Sequence, residues 1–321
     1  MWSSIVFLLI GLILVLTGAD ALVDGSSALA RRWGVSEFVI GLTIVALGTS
    51  APEMVVSFIS SIEGNSDMAV GNIIGSNIFN TAIILGLSAL ICPIAITHSQ
   101  KRRDIPINTG ITLLLAFFGL RSTLLGIGRN GISRIEGALF LALFVWYMIS
   151  SFRQESSDEH LETDGSKTKQ FSMFKALVYI IFGIAALIFG GRMFVDNAEN
   201  IAQALGWSDK FIAITILAAG TSLPELATSI VAAAKGRGQL ALGNIIGSNT
   251  SNILLILGGS ALIRPLEMND IAITDYAALL ACSLPVLASA IFNRKGRMFR
   301  TEGAALLLVG IIYISFLIIT L

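Results

Sequence analysis

The chain has 321 residues, of which 55% are hydrophobic and 13% charged, and its acidic and basic side chains balance. Soluble domains carry about 25% charged residues, so the composition excludes an ordinary water-soluble enzyme, and the zero net charge offers no sign of a nucleic-acid partner. Apolar stretches of about 20 residues recur along the chain, the pattern of an all-α polytopic membrane protein with lipid around it.

The first apolar span covers about 4–30. No Lys or Arg precedes Arg31, so the span lacks the basic lead of a signal peptide and reads as a retained helix. Further spans follow at about 38–62, 68–92, 105–123 and 134–152. A polar, charged stretch at 153–173 separates these from a second set at about 174–200, 210–234, 240–263, 271–292 and 301–320. Cys92 and Cys282 sit in apolar surroundings with no disulfide or metal spacing, and read as small buried hydrophobes.

The two sets are copies. A constant shift of 172 residues lays Gly18–Pro93 on Gly190–Pro265 without a gap, with about 34 of these 76 positions identical. "GTSAPE" (48–53) falls on "GTSLPE" (220–225), and "GNIIGSN" (71–77) on "GNIIGSN" (243–249). The division is therefore a first five-helix repeat at 1–152, a linker at 153–173 and a second five-helix repeat at 174–321, with the repeated motifs at 41–80 and 213–252. Five is odd, so the second copy enters the membrane from the opposite side. Ten spans then form two inverted repeats about a pseudo-two-fold axis in the membrane plane, an architecture of secondary transporters whose site lies at the repeat interface. Fifteen of the 21 Lys and Arg fall on the side of the central linker. The positive-inside bias puts that side in the cytoplasm and both termini outside the cell membrane.

Spans 2 and 7 each bury an acid beside a helix breaker. An ionised carboxylate at mid-membrane costs a few kcal/mol or more unless compensated, yet the Lys and Arg of spans 2, 3, 7 and 8 are limited to Lys210 at the edge of span 7, which offers no obvious partner for Glu53 or Glu225. Pro52 and Pro224 remove a helical donor, and Gly48 and Gly220 loosen the same turn. Carbonyls near Ala46, Thr49, Ala218 and Thr221 are expected to be freed, and broken backbone is tolerated at this depth where it lines a cavity. Thr49, Ser50, Thr221 and Ser222 add hydroxyls. Ser76 and Asn80 share a helix face, as do Ser248 and Asn252. All these candidate metal ligands are oxygens, which selects hard cations such as Na⁺, Ca²⁺ or Mg²⁺. Ca²⁺ takes about 6–8 oxygens in flexible geometry, which two bidentate Glu plus carbonyls can supply, and this favours Ca²⁺ over Mg²⁺; two carboxylates also neutralise one divalent ion. Asp24 and its repeat mate Asp196 read as interfacial caps, with gating as the alternative.

The paired motifs "GTSAPE…GNIIGSNIFN" and "GTSLPE…GNIIGSNTSN" resemble the two alpha-repeats of the sodium/calcium exchanger family, within the calcium/cation antiporter superfamily, and fit a prokaryotic member. The resemblance implies exchange of Ca²⁺ for Na⁺ by alternating access, with these ions as transported substrates, no cofactor and function as a monomer. It implies central ligands at Glu53, Asn80, Glu225 and Asn252, surrounded by Thr49, Ser50, Ser76, Thr221, Ser222, Ser248 and the carbonyls of Ala46 and Ala218. It also implies that spans 1 and 6 slide. Many relatives have Asp where this chain has Asn252. The alternative is a Ca²⁺/H⁺, or other divalent cation, antiporter of the same superfamily, in which the two Glu carry protons.

Overall fold

The computed structural model describes residues 2–126, 128–155, 171–205, 218–269, 271–293 and 296–320. Its helices in the first half are α1 (Trp2–Trp33), α2 (Glu37–Thr49), α3 (Ala51–Glu63), α4 (Ser66–Ile91), α5 (Gln100–Leu125) and α6 (Arg134–Glu155). The second half contributes α7 (Met173–Ala204), α8 (Ala218–Thr221), α9 (Leu223–Ala234), α10 (Gly238–Ile263), α11 (Ile273–Phe292) and α12 (Arg300–Thr320). Eight of the described helices are long and apolar enough to cross a membrane, and α2 with α3, bent by 50° at their junction, make a ninth crossing if counted together. The start of the expected 210–234 span and most of the expected linker lie outside the described residues.

The 172-residue shift carries α4 onto α10 at both ends. Both helices end before a proline. Cys92, at φ −135° and ψ 116°, precedes Pro93, and Arg264, at φ −148° and ψ 132°, precedes Pro265. A residue before proline is pushed out of the helical region into the extended one. Here the extended chain continues as β1 (Ile94–Ala95) in the first half and β3 (Leu266–Glu267) in the second. With β2 (Gly131–Ile132) and β4 (Arg297–Met298) they form two short antiparallel ribbons, Ile94 opposite Met298 and Ile132 opposite Leu266. Among the described residues these ribbons are the departure from the all-α expectation. Each joins a strand that follows the central helix of one half to a strand that precedes the last helix of the other.

Helices α1 and α7 run antiparallel in close contact. A Cβ added at Gly11 would lie 2.8 Å from the Gly190 carbonyl, one at Gly18 3.0 Å from that of Gly183, and one at Gly25 2.9 Å from that of Ala176. The partner number falls by seven as the α1 number rises by seven, which is an antiparallel seam of small residues. Small residues at such seams let helix backbones approach in a membrane, where lipid removes the hydrophobic drive to associate. Each of these helices has 32 residues, about 48 Å at 1.5 Å per residue. They therefore exceed the ~30 Å hydrocarbon core and must tilt or project beyond it.

Burial locates the centre of the molecule. In the most apolar stretch of each helix, 94% of α10 and 72% of α4 is buried, against 33% for α1 and 17% for α12. The two helices that carry the repeated "GNIIGSN" are thus the ones enclosed by the others.

Candidate cation site

The broken crossing sets the first acid. Ser50 lies between α2 and α3 with φ −79° and ψ 9°, and Pro52 sits in the first turn of α3. Proline is tolerated there because the amide it lacks would have no partner in a new helix. Glu53 then falls in the first turn of α3 and Glu225 in the first turn of α9, where the unsatisfied amides of a helix N-terminus favour negative charge. One expectation needs correction. The carbonyl of Ala46 is not freed, because it accepts the Ser50 N–H at 3.0 Å and lies 3.3 Å from the Thr49 hydroxyl. The donor lost at Pro52 would have served Gly48, one turn back, so the turn that holds Ala46 still closes.

The two acids hold each other's neighbourhoods. Ser222, beside Glu225 in the second half, donates to Glu53 Oε1 at 2.9 Å, and Ser50 donates to Glu225 Oε1 at 2.8 Å. Ser76 Oγ lies 3.3 Å from Glu53 Oε1 and 3.1 Å from Ser222 Oγ. Asn252 donates to Ser76 Oγ at 3.2 Å, which brings the central asparagine of α10 to the acid of α3. Glu53, Glu225, Asn80, Asn252, Ser50, Ser76, Ser222, Ser248 and Thr49 are all buried. Thr221 ends α8 and is half-buried, and Ala218 opens α8. The structure therefore buries most of the expected set and ties it together by polar contacts that cross between the halves.

Five oxygens of the expected set are left over, the Ser248 hydroxyl and four carboxylate or amide oxygens. Glu53 Oε2, Glu225 Oε2, Asn80 Oδ1 and Asn252 Oδ1 have no hydrogen-bond partner among the described residues. All four are acceptors with no proton to give when the carboxylates are ionised. A buried polar atom without a partner costs about 1–3 kcal/mol, more when charged, and here the defect recurs at repeat-matched positions. No Lys or Arg of the described residues pairs with either Glu. The described ion pairs are Arg121–Glu136, Arg192–Asp196, Lys235 with Asp20 and Asp24, and Arg237–Glu37. Asp24 is thus an ion-pair partner of Lys235 at 2.7 Å rather than a cap. A hard cation is the partner such an oxygen set suits, because it supplies positive charge and takes several oxygens at once.

Close approach explains the glycines of the second motif. A Cβ at Gly243 would lie 2.2 Å from the Phe38 carbonyl, and one at Gly247 2.3 Å from the Leu42 carbonyl. Glycine at both positions lets α10 rest on the backbone of α2. A π-helical turn opens at Phe79 in α4 and at Asn252 in α10. Such bulges add a residue to a turn and recur at functional sites; here they bear Asn80 and Asn252.

A further polar tier was absent from the sequence expectations. Asn72 donates to Ser57 Oγ at 3.0 Å and Asn244 to Ser229 Oγ at 3.0 Å, the same bond in each half. Thr49 Oγ1 lies 3.2 Å from Asn244 Oδ1. Asn77 and Asn249 join α4 to α10. The available signal was identity between the halves, since each of these positions except Thr81, which Asn249 contacts, is unchanged by the 172-residue shift.

Known proteins resemble this chain over nearly its whole length. The family model "Sodium/calcium exchanger protein" matches residues 3–153 and 175–319. The chain is 36% identical over 311 residues to the inner membrane protein YrbG of Escherichia coli, covering 94% of this chain and 92% of that one. It is 33% identical over 348 residues to the sodium/calcium exchanger MaX1 of Methanosarcina acetivorans, covering 98% of each. A solved structure of the sodium-calcium exchanger NCX_Mj superimposes with a TM-score of 0.83 at 34% identity, covering 97% of both chains.

Proposed function

Because this chain belongs to the sodium/calcium exchanger family, and is thus a multi-pass membrane cation antiporter, we propose that it exchanges Ca²⁺ for Na⁺ at the buried oxygen cluster by alternating access. The observation that carries this reading is the set of four unpartnered acceptors, Glu53 Oε2, Glu225 Oε2, Asn80 Oδ1 and Asn252 Oδ1. Two carboxylates balance one Ca²⁺, and the amide oxygens with hydroxyls of Ser50, Ser76, Ser222, Ser248, Thr49 and Thr221 approach the 6–8 oxygens Ca²⁺ takes. The resemblance adds the carbonyls of Ala46 and Ala218 as further candidates, although that of Ala46 already accepts from Ser50 N–H. The names of MaX1 and NCX_Mj as sodium/calcium exchangers support Na⁺ as the counter-ion.

The layout we propose is ten crossings in two inverted five-helix repeats, 1–152 and 174–321, with 153–173 as a cytoplasmic linker and both termini outside. The antiparallel course of the repeat-matched α1 and α7 supports the inversion. The bent pair α2–α3 supports a ninth crossing, and its repeat mate, the 210–234 span that holds α8 and α9, is assigned as the tenth. The working unit is one chain, since both halves of the cluster come from it.

Sodium-driven ⁴⁵Ca²⁺ uptake into proteoliposomes tests the function. Uptake that needs an outward Na⁺ gradient and is indifferent to K⁺ is the expected result. Uptake driven by a pH gradient without Na⁺ would assign the two Glu to proton carriage and the chain to Ca²⁺/H⁺ exchange. With Ca²⁺ the centre is neutral, whereas three Na⁺ would leave it at about +1 by charge count, so a 3:1 exchange would also respond to membrane voltage. Impermeant thiol labelling at position 157 but not 128 on intact cells, in a variant without Cys92 and Cys282, would reverse the proposed orientation.

A further inference from the structure

Asn80 and Asn252 offer their oxygens to the site only if their amide nitrogens point elsewhere. The last torsion of an asparagine side chain is soft and roughly two-fold, so an unsupported amide presents NH₂ as readily as C=O. An NH₂ turned toward a cation would repel it. The structure shows where both nitrogens go. Asn252 Nδ2 donates to Asn77 Oδ1 at 2.9 Å, and Asn80 Nδ2 donates to Asn249 Oδ1 at 3.2 Å. Asn77 and Asn249 are repeat mates, and each serves the other half's ligand.

The supporting amides are themselves oriented. Asn77 Nδ2 donates to the Asn249 carbonyl at 3.3 Å, and Asn249 Nδ2 donates to Thr81 Oγ1 at 2.8 Å. Each of these four amide nitrogens therefore has an acceptor other than the leftover oxygens. Both supporting side chains are buried, 1% and 5% exposed, so water does not compete for these bonds. Position 77 needs a group that accepts from one partner and donates to another. A carboxylate would accept from Asn252 but oppose the Asn249 carbonyl, and a serine hydroxyl has a shorter reach.

We propose that Asn77 and Asn249 are positioning residues, each of which clamps the amide of the opposite repeat's asparagine so that its oxygen, not its nitrogen, faces the transported cation. This rests on the cation-site reading above. It assigns a task to the last letter of "GNIIGSN" in both copies, and it makes each half's ligand depend on the other half.

A double-mutant cycle read by Ca²⁺ binding tests it, using the purified full-length protein and the Ca²⁺-dependent rise in its melting temperature, which tracks affinity. Asn77→Ala is expected to weaken apparent Ca²⁺ affinity about tenfold, the size of one ordinary hydrogen bond. Asn252→Ala should weaken it at least as much. The double variant should bind no more weakly than Asn252→Ala alone, because a residue that acts only through Asn252 has nothing left to orient. A merely structural tie between α4 and α10 would instead lower the cation-free melting temperature and multiply the two penalties. The mirror cycle, Asn249→Ala with Asn80→Ala, carries the same test if Asn77→Ala fails to fold. Unchanged affinity in Asn77→Ala, or penalties that multiply in whichever cycle folds, would overturn the proposal. Glu53→Gln in the same assay separates the two levels. Full Ca²⁺ binding by Glu53→Gln would remove the site itself, whereas its loss alongside normal binding by Asn77→Ala would remove only the clamp.

Discussion

The two copies of the repeat agree at their centres and part at their ends. At the centre the bonds are reciprocal, Ser222 to Glu53 at 2.9 Å and Ser50 to Glu225 at 2.8 Å. At the ends, α9 is followed by Lys235, which holds Asp20 and Asp24 of α1 at 2.7 Å each. The mates of those two acids are Arg192 and Asp196, which pair with each other along α7 at 3.8 Å, both largely exposed, and the mate of Lys235 is the exposed Glu63. One face of the molecule therefore ties the long helix α1 to the site-bearing crossing, and the matched charges on the other face form an exposed pair within a single helix. An exposed i,i+4 pair is worth about 0.3–0.5 kcal/mol, too little to hold an element in place. The contrast teaches that duplication preserved the buried polar centre and relaxed the rims.

The largest expected effect probes the shared centre. Glu53→Gln and Glu225→Gln should each lower sodium-driven ⁴⁵Ca²⁺ flux about 100-fold or more, since each leaves a divalent ion with one uncompensated charge in a medium that penalises net charge. Normal flux in either folded variant would break the equivalence of the two copies.

Next come the hydroxyls that cross between copies. A hydrogen bond to a charged group is worth about 1.5–3 kcal/mol, so Ser50→Ala and Ser222→Ala should each weaken half-saturating Ca²⁺ by roughly 10- to 100-fold, with similar values in the two variants. A large disparity would show that one acid carries most of the binding.

Packing should give a smaller effect, read as stability. A Cβ at Gly18 would lie 2.9 Å from the Ala186 Cβ and 3.0 Å from the Gly183 carbonyl. Overpacking costs typically about 1–3 kcal/mol, so Gly18→Leu should lower the melting temperature in detergent while cation affinity in the surviving folded fraction stays near normal. Lost affinity without lost stability would mean that the α1–α7 seam shapes the site itself.

The smallest effect tests the rims. Lys235→Ala should destabilise by up to about 1 kcal/mol, as a partly exposed ion-pair network does, and Arg192→Ala by less than half of that. Equal melting temperatures for the two variants would erase the contrast between the faces.

Much of the site was legible because a membrane makes a buried charge conspicuous. Glu53 and Glu225 stand out against apolar neighbours with no basic residue near them in sequence, and the gap-free 172-residue shift pairs them without any structure. Ser76 with Asn80, and Ser248 with Asn252, follow from the helical period alone. Other features depended on geometry that periodicity does not encode. Ala46 reads as a freed carbonyl beside a proline, yet the amide of Ser50 still reaches it. Asp24 reads as a cap, yet Lys235, far away in the chain, folds onto it. The β ribbons depend on pairing between segments far apart in the chain, Ile94 with Met298 and Ile132 with Leu266.

By itself the sequence determined the class, the duplication and the identity of the cluster's acids, because apolar length, exact internal identity and unpaired intramembrane charge are properties of the chain read in order. Only the tertiary structure decided which atoms of that cluster are free. Glu53 spends one oxygen on Ser222 of the other half, Asn252 spends its nitrogen on Asn77 of the first, and the oxygens that remain are defined by contacts across the interface between copies. Hydrogen-bond direction depends on which donor lies opposite which acceptor, and that is set when α3, α4, α9 and α10 pack together.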